Sequence, residues 1–575
     1  MRRNPFLLLL ALALALPLAP AGRAQEPATP ETEAPVEATG DEDVFFETVD
    51  VNVVNVQVFV TDKKGNPITG LGVDDFEVFE DKRPVKITNF FAVEGRRPVV
   101  AASSAEPVVA APEAQPALPE ASEPLPADQQ LHLIVYIDNF NIRPFNRNRV
   151  FRRLREFLSQ KLERGDRVML VTYDRSLHFR HPFTSNPDLV ASALFDLEKL
   201  SGHALQYDSE HRDLMRDIEQ AESIGQVDYR VRQFAESRYS DMRFALDAMS
   251  EMIDSLAGIE GRKALLYVSD GLPMTPAEDL FHALQHKFQD SSILSRMRDY
   301  DLSRRFVRLS DAANTNEVTI YTIDAAGLRV AFSGSAEAAR YGNTPGLWQV
   351  AESMQVHNLQ SPLLLMAERT GGTAIYNTND VGDGLSRVAE DFGSYYSLGY
   401  VPGHRGDGRF HKIEVKTQQK GLRVRHRRGY RDKPIPARMA DSTMSTLRYG
   451  FDRNPLGIAL RLGEQTRHEG GNVVVDMVVA IPIDNVTLVE RRDFHEARVK
   501  LFVAAMDEEG GVADVQEETL PIRIPLDEVE QRRGQNFNYA LKLLMRPGGH
   551  RVAIGIRDEI GAGTSFISEF VRVGA

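Results

Sequence analysis

The chain has 575 residues, 26% of them charged and 42% hydrophobic, with a formal net charge of −14 and no cysteine. That length exceeds a single hydrophobic core and calls for several domains. The acidic balance argues against a general affinity for nucleic acid, and the missing cysteines exclude disulfides, thiol nucleophiles and thiolate metal sites.

The amino terminus, MRRNPFLLLLALALALPLAPAGRA, sets Arg2 and Arg3 before a Leu/Ala run and a small-residue exit at Gly22, Arg23 and Ala24. This reads as a secretory signal peptide over 1–24, cut after Ala24. The apolar run is short for a membrane anchor and is broken by Pro17 and Pro20. No cysteine follows for lipidation, and no later stretch is long and apolar enough to span a bilayer. The expected product is exported, periplasmic or extracellular, without a transmembrane segment. Residues 25–43, rich in Pro, Ala and Glu, read as a disordered leader.

Over 44–95 the pattern predicts a small antiparallel β module. Val54, Val56, Val58 and Val60 alternate with polar residues, DKKGNP turns the chain, and FEVFED and VKITNFF supply further strands. Asp74 and Asp75 read as an exposed acidic turn rather than a calcium loop. Residues 96–130 form a Pro/Ala-rich linker.

From 131 to 435 strands alternate with helices. The strands are LHLIVYID, DRVMLVTYD, LHFRHPFT, KALLYVSDG, VTIYTIDAAG and GTAIYNT, and the alternation predicts a mainly parallel sheet covered on both sides. One helix carries Val150, Leu154, Phe157, Leu158 and Leu162 on a single face. Another carries Phe244, Leu246, Met249, Ile253 and Leu256. The charged stretch Tyr207–Tyr239 reads as a lid or helical insertion, 279–316 is similar, and FSGSAEAARYGNTPGLWQ, with Trp348, reads as loop. In Arg423–Arg428 the arginines alternate with Val424 and His426, as on an edge strand with its charges turned outward. Residues 440–575 predict a β-sandwich in the immunoglobulin or fibronectin style.

Two of the central strands end in aspartate, IVYIDNFN at Asp138 and LLYVSDGLP at Asp270, and Asp324 ends a third. Neighbouring parallel strands place such carboxylates on one rim, where open α/β sheets bind ligands. Hard cations such as Mg2+ take oxygen ligands in compact arrangements of that kind. The sequence has no Gly-x-Ser-x-Gly elbow, Walker loop or His-Glu-x-x-His, and His178 and His181 read as surface residues of an alternating strand. No catalytic residue is assigned.

The strand–helix order, Asp138 and GRKALLYVSDG resemble a von Willebrand factor A domain. More narrowly, VFVTDKKGNPITGLGVDDFEVFEDKRPVKI, IDNFN, ERTGGTAIYNTNDVGDGLSRVAEDFGSYYSLGYVP and GLRVRHRRGYR resemble exported VWFA-related proteins of the acidobacterial type, over about 44–435. The resemblance implies a Rossmann-like, doubly wound sheet flanked by the two β modules, a metal-ion-dependent adhesion site at the strand ends, and a binding role rather than an enzymatic one. In the site's pattern, Asp-x-Ser-x-Ser with a threonine and a second aspartate, Asp138 matches the first aspartate and Asp270 the last. The serine positions hold Phe140 and Ile142, which cannot ligate, and the threonine position falls at His203, a poor partner for magnesium. The residual metal set is Asp138, Asn141 and Asp270, with Ser269 as a helper and Mg2+ as the ion. The ligand count weighs against a tight site, and the competing reading has Asp138 accept loop amides and Asp270 cap its turn.

The expected function is that of an exported, non-enzymatic binding protein for a protein or cell-surface partner, with a degenerate adhesion site. A metal-dependent hydrolase at the Asp138/Asp270 rim and a purely structural envelope component are the alternatives.

Overall fold

The computed structural model describes residues 53–95, 97–99, 130–163, 165–200, 202, 204–329 and 345–574. The expected signal peptide, the leader, nearly all of the linker and His203 lie outside the described residues. The chain divides into two compact units, Asn52–Arg438 and one that holds Met439–Ala575.

The first unit opens with β1 (Val54–Thr61), β2 (Phe76–Glu80), β3 (Arg83–Val85), β4 (Ile87–Glu94) and β5 (Arg97–Val99). Val54, Val56, Val58 and Val60 are all buried, as the period of two requires. An α/β layer follows: β6 (Leu131–Asp138), α1 (Pro144–Lys161), β7 (Arg167–Tyr173), β8 (Leu177–Thr184), α2 (Pro187–Leu197), α3 (Ala204–Gln220), α4 (Asp228–Ser255) and β9 (Arg262–Ser269). It continues through α5 (Glu278–Phe288), α6 (Ser292–Met297), α7 (Ser303–Thr315), β10 (Val318–Asp324), α8 (Pro345–Thr370), β11 (Ala374–Ile375) and α9 (Gly382–Gly393).

The sheet of this layer runs β11-β10-β9-β6-β7-β8. All neighbours are parallel except the edge strand β8. Every residue of β6 and β9 is buried, as strands covered on both faces must be. On one side Leu133, Val135 and Ile137 pack with Val150, Leu154 and Leu158 of α1. On α4 the expected face is rotated slightly: Leu246, Met249 and Ile253 are buried, whereas Phe244 is 64% exposed and Met242 and Ala245 are buried. The charged insertion is not free-standing. Leu214, Met215 and Ile218 of α3 and Val231 and Phe234 of α4 share a core with Leu280, Phe281 and Leu284 of α5. Pro345 begins α8, a position its fixed φ suits, so the part of the Trp348 segment that is described is helix rather than loop.

Strand order fixes where a ligand can enter. From β6 the chain moves one way to β7 and β8, then crosses to the other side for β9, β10 and β11. A reversal of this kind leaves a crevice outside the carboxyl ends of the two central strands. Those strands are β6 and β9.

The unit closes with β12 (Tyr395–Tyr400), β13 (Phe410–Thr417), β14 (Arg423–His426) and β15 (Gly429–Arg431). β1 lies antiparallel between β12 and β14, β4 pairs with β12, and β2 pairs with β13. The result is two sheets, β14-β1-β12-β4-β5 and β15-β13-β2-β3. Val56, Val58, Phe76 and Val78 share one core with Leu398, Ile413 and Val415. The segments expected as a separate module (44–95) and as the end of the α/β domain (131–435) therefore complete each other. A few short strands expose their edges and half their apolar face when alone, and only partner strands satisfy both.

β14 is an edge strand, as expected, but its Arg425 and the Arg427 that follows it are not turned to solvent. Arg425 grips Asp391 with both terminal nitrogens, at 3.0 and 2.6 Å, and donates to the Gly371 carbonyl and the Thr373 hydroxyl. Arg427 donates to the Asn314 carbonyl and pairs with Glu317 at 3.1 Å. The period-two alternation was legible, but the side on which the α/β layer lies was not.

In the second unit α10 (Ile435–Tyr449), which begins before the division, occupies sequence where strands were expected to start. The strands are β16 (Ala459–Arg467), β17 (Val473–Pro482), β18 (Val489–Glu490), β19 (Phe494–Asp507), β20 (Gln516–Pro525), β21 (Asn536–Met545), β22 (Gly548–Asp558) and β23 (Thr564–Val573). They form two antiparallel sheets, β16-β17-β21 and β18-β19-β22-β23, with β20 also on β19. Val475, Met477 and Val479 of one share a core with Val499, Leu501 and Ile554 of the other, the arrangement of a sandwich. Among the described residues, no helix is long and apolar enough to cross a membrane.

Arg425→Ala leaves the Asp391 carboxylate, 8% exposed, without its partner. The expected cost is about 3 kcal/mol of the first unit's stability, the lower end of what breaking a buried pair removes. Hydrogen exchange along β12 and β14 measures it, and those amides are expected to lose protection first.

Candidate functional site

Three adjacent parallel strands carry aspartates to one end of the sheet. Asp138 closes β6, Asp270 follows β9 and Asp324 closes β10, with Ile137 opposite Val268 and Asp324 opposite Ser269.

Asp138 is 1% exposed, and the fold uses both of its oxygens. Oδ1 accepts the Asn141 backbone N–H at 3.1 Å. Oδ2 accepts the Tyr267 hydroxyl at 2.5 Å, the Asn141 side-chain amide at 2.9 Å and the Ser269 hydroxyl at 3.3 Å. Burial pushes its pKa up, and these hydrogen bonds pull the other way. The Asn141 amide oxygen in turn accepts from Arg238 Nη2 at 3.2 Å. Phe140 and Ile142, at the adhesion-site serine positions, are buried. Phe140 stands edge-on to the rings of Tyr173 and Tyr207.

Asp270 is differently placed. Its Oδ2 accepts the Arg143 backbone N–H at 2.9 Å and the Asn146 amide at 2.8 Å, while its Oδ1 is buried and has no hydrogen-bond partner. Burial raises this carboxyl to about 6, against the pull of those donors and of the Arg143 and Arg329 charges. Asp324 is paired with Arg329 at 3.1 Å and accepts the Gln360 amide at 2.8 Å. Arg329 also donates to the Asp270 backbone carbonyl at 2.5 Å, tying two strand ends together.

Outside these groups lies a cleft of about 110 Å3, whose walls include Asn141, Arg143, Tyr207, Arg238, Asp270 and Arg329 but not Asp138. It opens where the strand order reverses. Helices α3 and α4 supply one wall. There Asp208 pairs with Arg143 at 2.6 Å and His211 with Asp279 at 2.5 Å. Burial works against a charge on His211, but Asp279 outweighs it and the pKa is raised. The Arg238 guanidinium stands 4.0 Å from the centre of the Tyr207 ring, a cation–π contact.

The rim does not fit a divalent cation as it stands. Magnesium needs near-octahedral oxygens at about 2.0–2.1 Å, yet the Asp138 oxygens are bound, the Asn141 oxygen faces a guanidinium, and apolar residues fill the serine positions. The expected set of Asp138, Asn141 and Asp270 is thus held together by protein donors. A group compatible by residue type with a divalent ion lies in the two-sheet part of the unit, at Glu80, His404 and His411, whose donor atoms fall within 4.8 Å of one another. The two imidazoles there are stacked at 3.7 Å.

Sequence reasoning reached Asp138, Asn141 and Asp270 and missed Tyr267, Asn146, Tyr207 and Arg238. Tyr267 left a signal, since it precedes Asp270 by three residues and lies in register with Tyr136 on β6. Arg238 left none, because its place depends on how α4 lies over the strand ends.

Asp138→Ala strips the acceptor from Tyr267 and Asn141 and is expected to cost about 1–3 kcal/mol for each buried donor orphaned, read from denaturant midpoints. Asp270→Asn keeps an oxygen for Arg143 and Asn146 and removes an acid whose folded pKa is raised. A raised carboxyl makes the folded state bind the proton more tightly, so stability falls as pH climbs from about 4 through about 6. The variant is expected to flatten that slope in unfolding measured across this window.

No protein-family model and no curated protein matches the chain. Among solved structures it is similar to an aerotolerance-related membrane protein from Bacteroides fragilis, at 11% identity over 46% of this chain and 98% of that one, with a TM-score of 0.24. It is also similar to a von Willebrand factor type A protein from Catenulispora acidiphila, at 10% identity over 77% of this chain and 66% of that one, TM-score 0.22. A third is the manganese-loaded TRAP protein of Plasmodium vivax, at 9% identity over 54% and 96%, TM-score 0.21. Likenesses this loose carry no argument, and the fold is read from its own strand order.

Proposed function

We propose that the chain is an exported, non-enzymatic binding protein whose α/β layer, in the manner of a von Willebrand factor A domain, offers its strand-end face to a protein or cell-surface partner. The observation that carries this reading is the cleft at the β6/β9 reversal, with exposed apolar side chains close in sequence to its walls. Phe145 at the start of α1 is 78% exposed, Leu205 at the start of α3 57%, and Leu328 after β10 54%. Each is within two residues of a wall of the cleft, Arg143, Ala204 and Arg329 respectively. Large apolar side chains around a polar centre are what protein contact sites offer. The doubly wound order and the first-strand aspartate support the family comparison, and the leader-like amino terminus supports export.

The non-enzymatic part is supported by how two of the three strand-end carboxylates are held. Asp138 and Asp324 are committed to neighbouring donors, which leaves neither poised to activate water or carry a covalent intermediate.

The test is capture from an envelope fraction of the source organism with purified protein, comparing wild type with Phe145→Glu and Leu328→Glu. Both side chains are exposed, so melting temperatures are expected to stay unchanged while recovery of a specific partner falls at least fivefold. Undiminished recovery by both stably folded variants would exclude this face.

A further inference from the structure

We propose that the two-sheet part of the first unit binds Zn2+ on Glu80, His404 and His411, and that this ion fastens the unit's first strands to its last. The site is separate from the cleft and does not rest on the binding reading above.

Segments far apart in sequence meet here. Glu80 ends β2 and Asp81 follows it, His404 and Asp407 lie between β12 and β13, His411 is on β13, and Asp432 follows β15. One donor atom from each of Glu80, His404 and His411 falls within 4.8 Å of the other two. Glu80 and His411 are buried, at 8% and 7% exposure. Two imidazoles and a carboxylate are the donor types that zinc selects, whereas magnesium and calcium take oxygen.

The hydrogen bonds around the group leave the right atoms available. Glu80 Oε1 accepts the Tyr400 and Tyr430 hydroxyls at 2.9 and 2.8 Å, which leaves Oε2. His404 Nε2 lies 3.3 Å from that oxygen, buried and in no hydrogen bond. Nδ1 of the same ring is 2.8 Å from Asp432 Oδ2, so Nδ1 carries the proton and Nε2 a lone pair. A second proton on this ring is disfavoured. The His411 ring lies against it at 3.7 Å, and His411 has its own charge favoured by Asp81 at 2.9 Å and Asp407 at 3.2 Å. A lone pair beside a carboxylate oxygen repels it unless a cation stands between them. Two donors at zinc distances of about 2.0–2.1 Å and a tetrahedral angle lie roughly 3.3–3.4 Å apart, the separation of His404 Nε2 from Glu80 Oε2.

The surroundings are those of ligating histidines. Asp432 stands behind His404, and whichever nitrogen His411 gives to zinc in place of a proton, the other keeps Asp81 or Asp407. Carboxylates in that position fix the tautomer and raise the basicity of the ring. The two rings are parallel within 15°, while lone pairs in the ring planes must converge on one ion, so His404 turns out of the stack on binding. Asp81 and His411 are 330 residues apart, and the chain has no cysteine. An ion shared between such segments closes a long loop, as a disulfide would.

The experiment uses the full chain, stripped with EDTA and titrated calorimetrically with Zn2+ alone at pH 8. One zinc per chain is expected. Asp432→Asn is expected to weaken it about tenfold, as loss of an outer carboxylate does, and His404→Gln and His411→Gln by more, with circular dichroism unchanged. EDTA should lower the melting temperature of wild type and leave both histidine variants where they were. Asp270→Asn, at the strand ends, is expected to bind zinc as wild type does. Because a histidine variant can fail to fold, a second measurement needs wild type only: Co2+ in the site should give the intense visible bands of a four-coordinate ion. The pale spectrum of hydrated cobalt overturns the proposal, as do a wild type that takes up no zinc and histidine variants that bind like wild type. Loss of the ion in Asp270→Asn overturns it too, since that places the ion at the strand ends.

Discussion

The carboxylate of Asp138 holds the strand-end face together. It sits at the end of a strand buried on both sides, where a charge is costly unless hydrogen-bonded, and four donors converge on it. Two of them, the Tyr267 and Ser269 hydroxyls, come from the neighbouring strand β9, so the same carboxylate locks β6 to β9 and folds the Asn139–Arg143 turn back over them. That turn sets the Asn141 oxygen toward Arg238 and the Arg143 N–H toward Asp270. The cleft therefore takes its shape from a residue that does not line it.

The same economy appears at the junction within the first unit. The two-sheet part is threaded from both ends of the α/β layer, and Arg425 on Asp391 fastens its edge strand to α9. Arg262 adds to this seam, donating to the Phe392 and Asp391 carbonyls and lying 3.9 Å from the centre of the Tyr395 ring. Charged side chains thus act inside this molecule as fasteners between layers, at strand ends and at strand edges alike. Arg238 differs because it meets an amide oxygen and an aromatic ring instead of a carboxylate.

Much of this architecture was legible in the sequence. Uninterrupted apolar runs gave β6 and β9, alternation gave β1 and β17, and the helical period gave the buried face of α1 at Val150, Leu154, Phe157 and Leu158. What was not legible is long-range. Nothing local in 54–94 says that its partners arrive some 300 residues later, because strand pairing is written in edges that any strand possesses. Phe244 fits the α4 stripe by spacing, yet the helix is rotated enough to leave it outside. At the site, carboxylates at strand ends announce themselves, whereas the guanidinium opposite them comes from a helix whose placement is set by packing with α5. A motif missing its serines reads in sequence as a loss, while in three dimensions the remaining oxygens are bonded to protein donors, Asn141 to Arg238 and Asp138 to Tyr267.

The central claim is that protein donors, rather than a bound cation, occupy the Asp138 and Asn141 oxygens at the strand ends. Anomalous diffraction from crystals of the full chain soaked in manganese addresses it directly. The account predicts no anomalous peak within bonding distance of Asp138 or Asp270, and continuous density from Arg238 to the Asn141 side chain. A manganese peak coordinated by those two aspartates, with Arg238 swung away from Asn141, would contradict it.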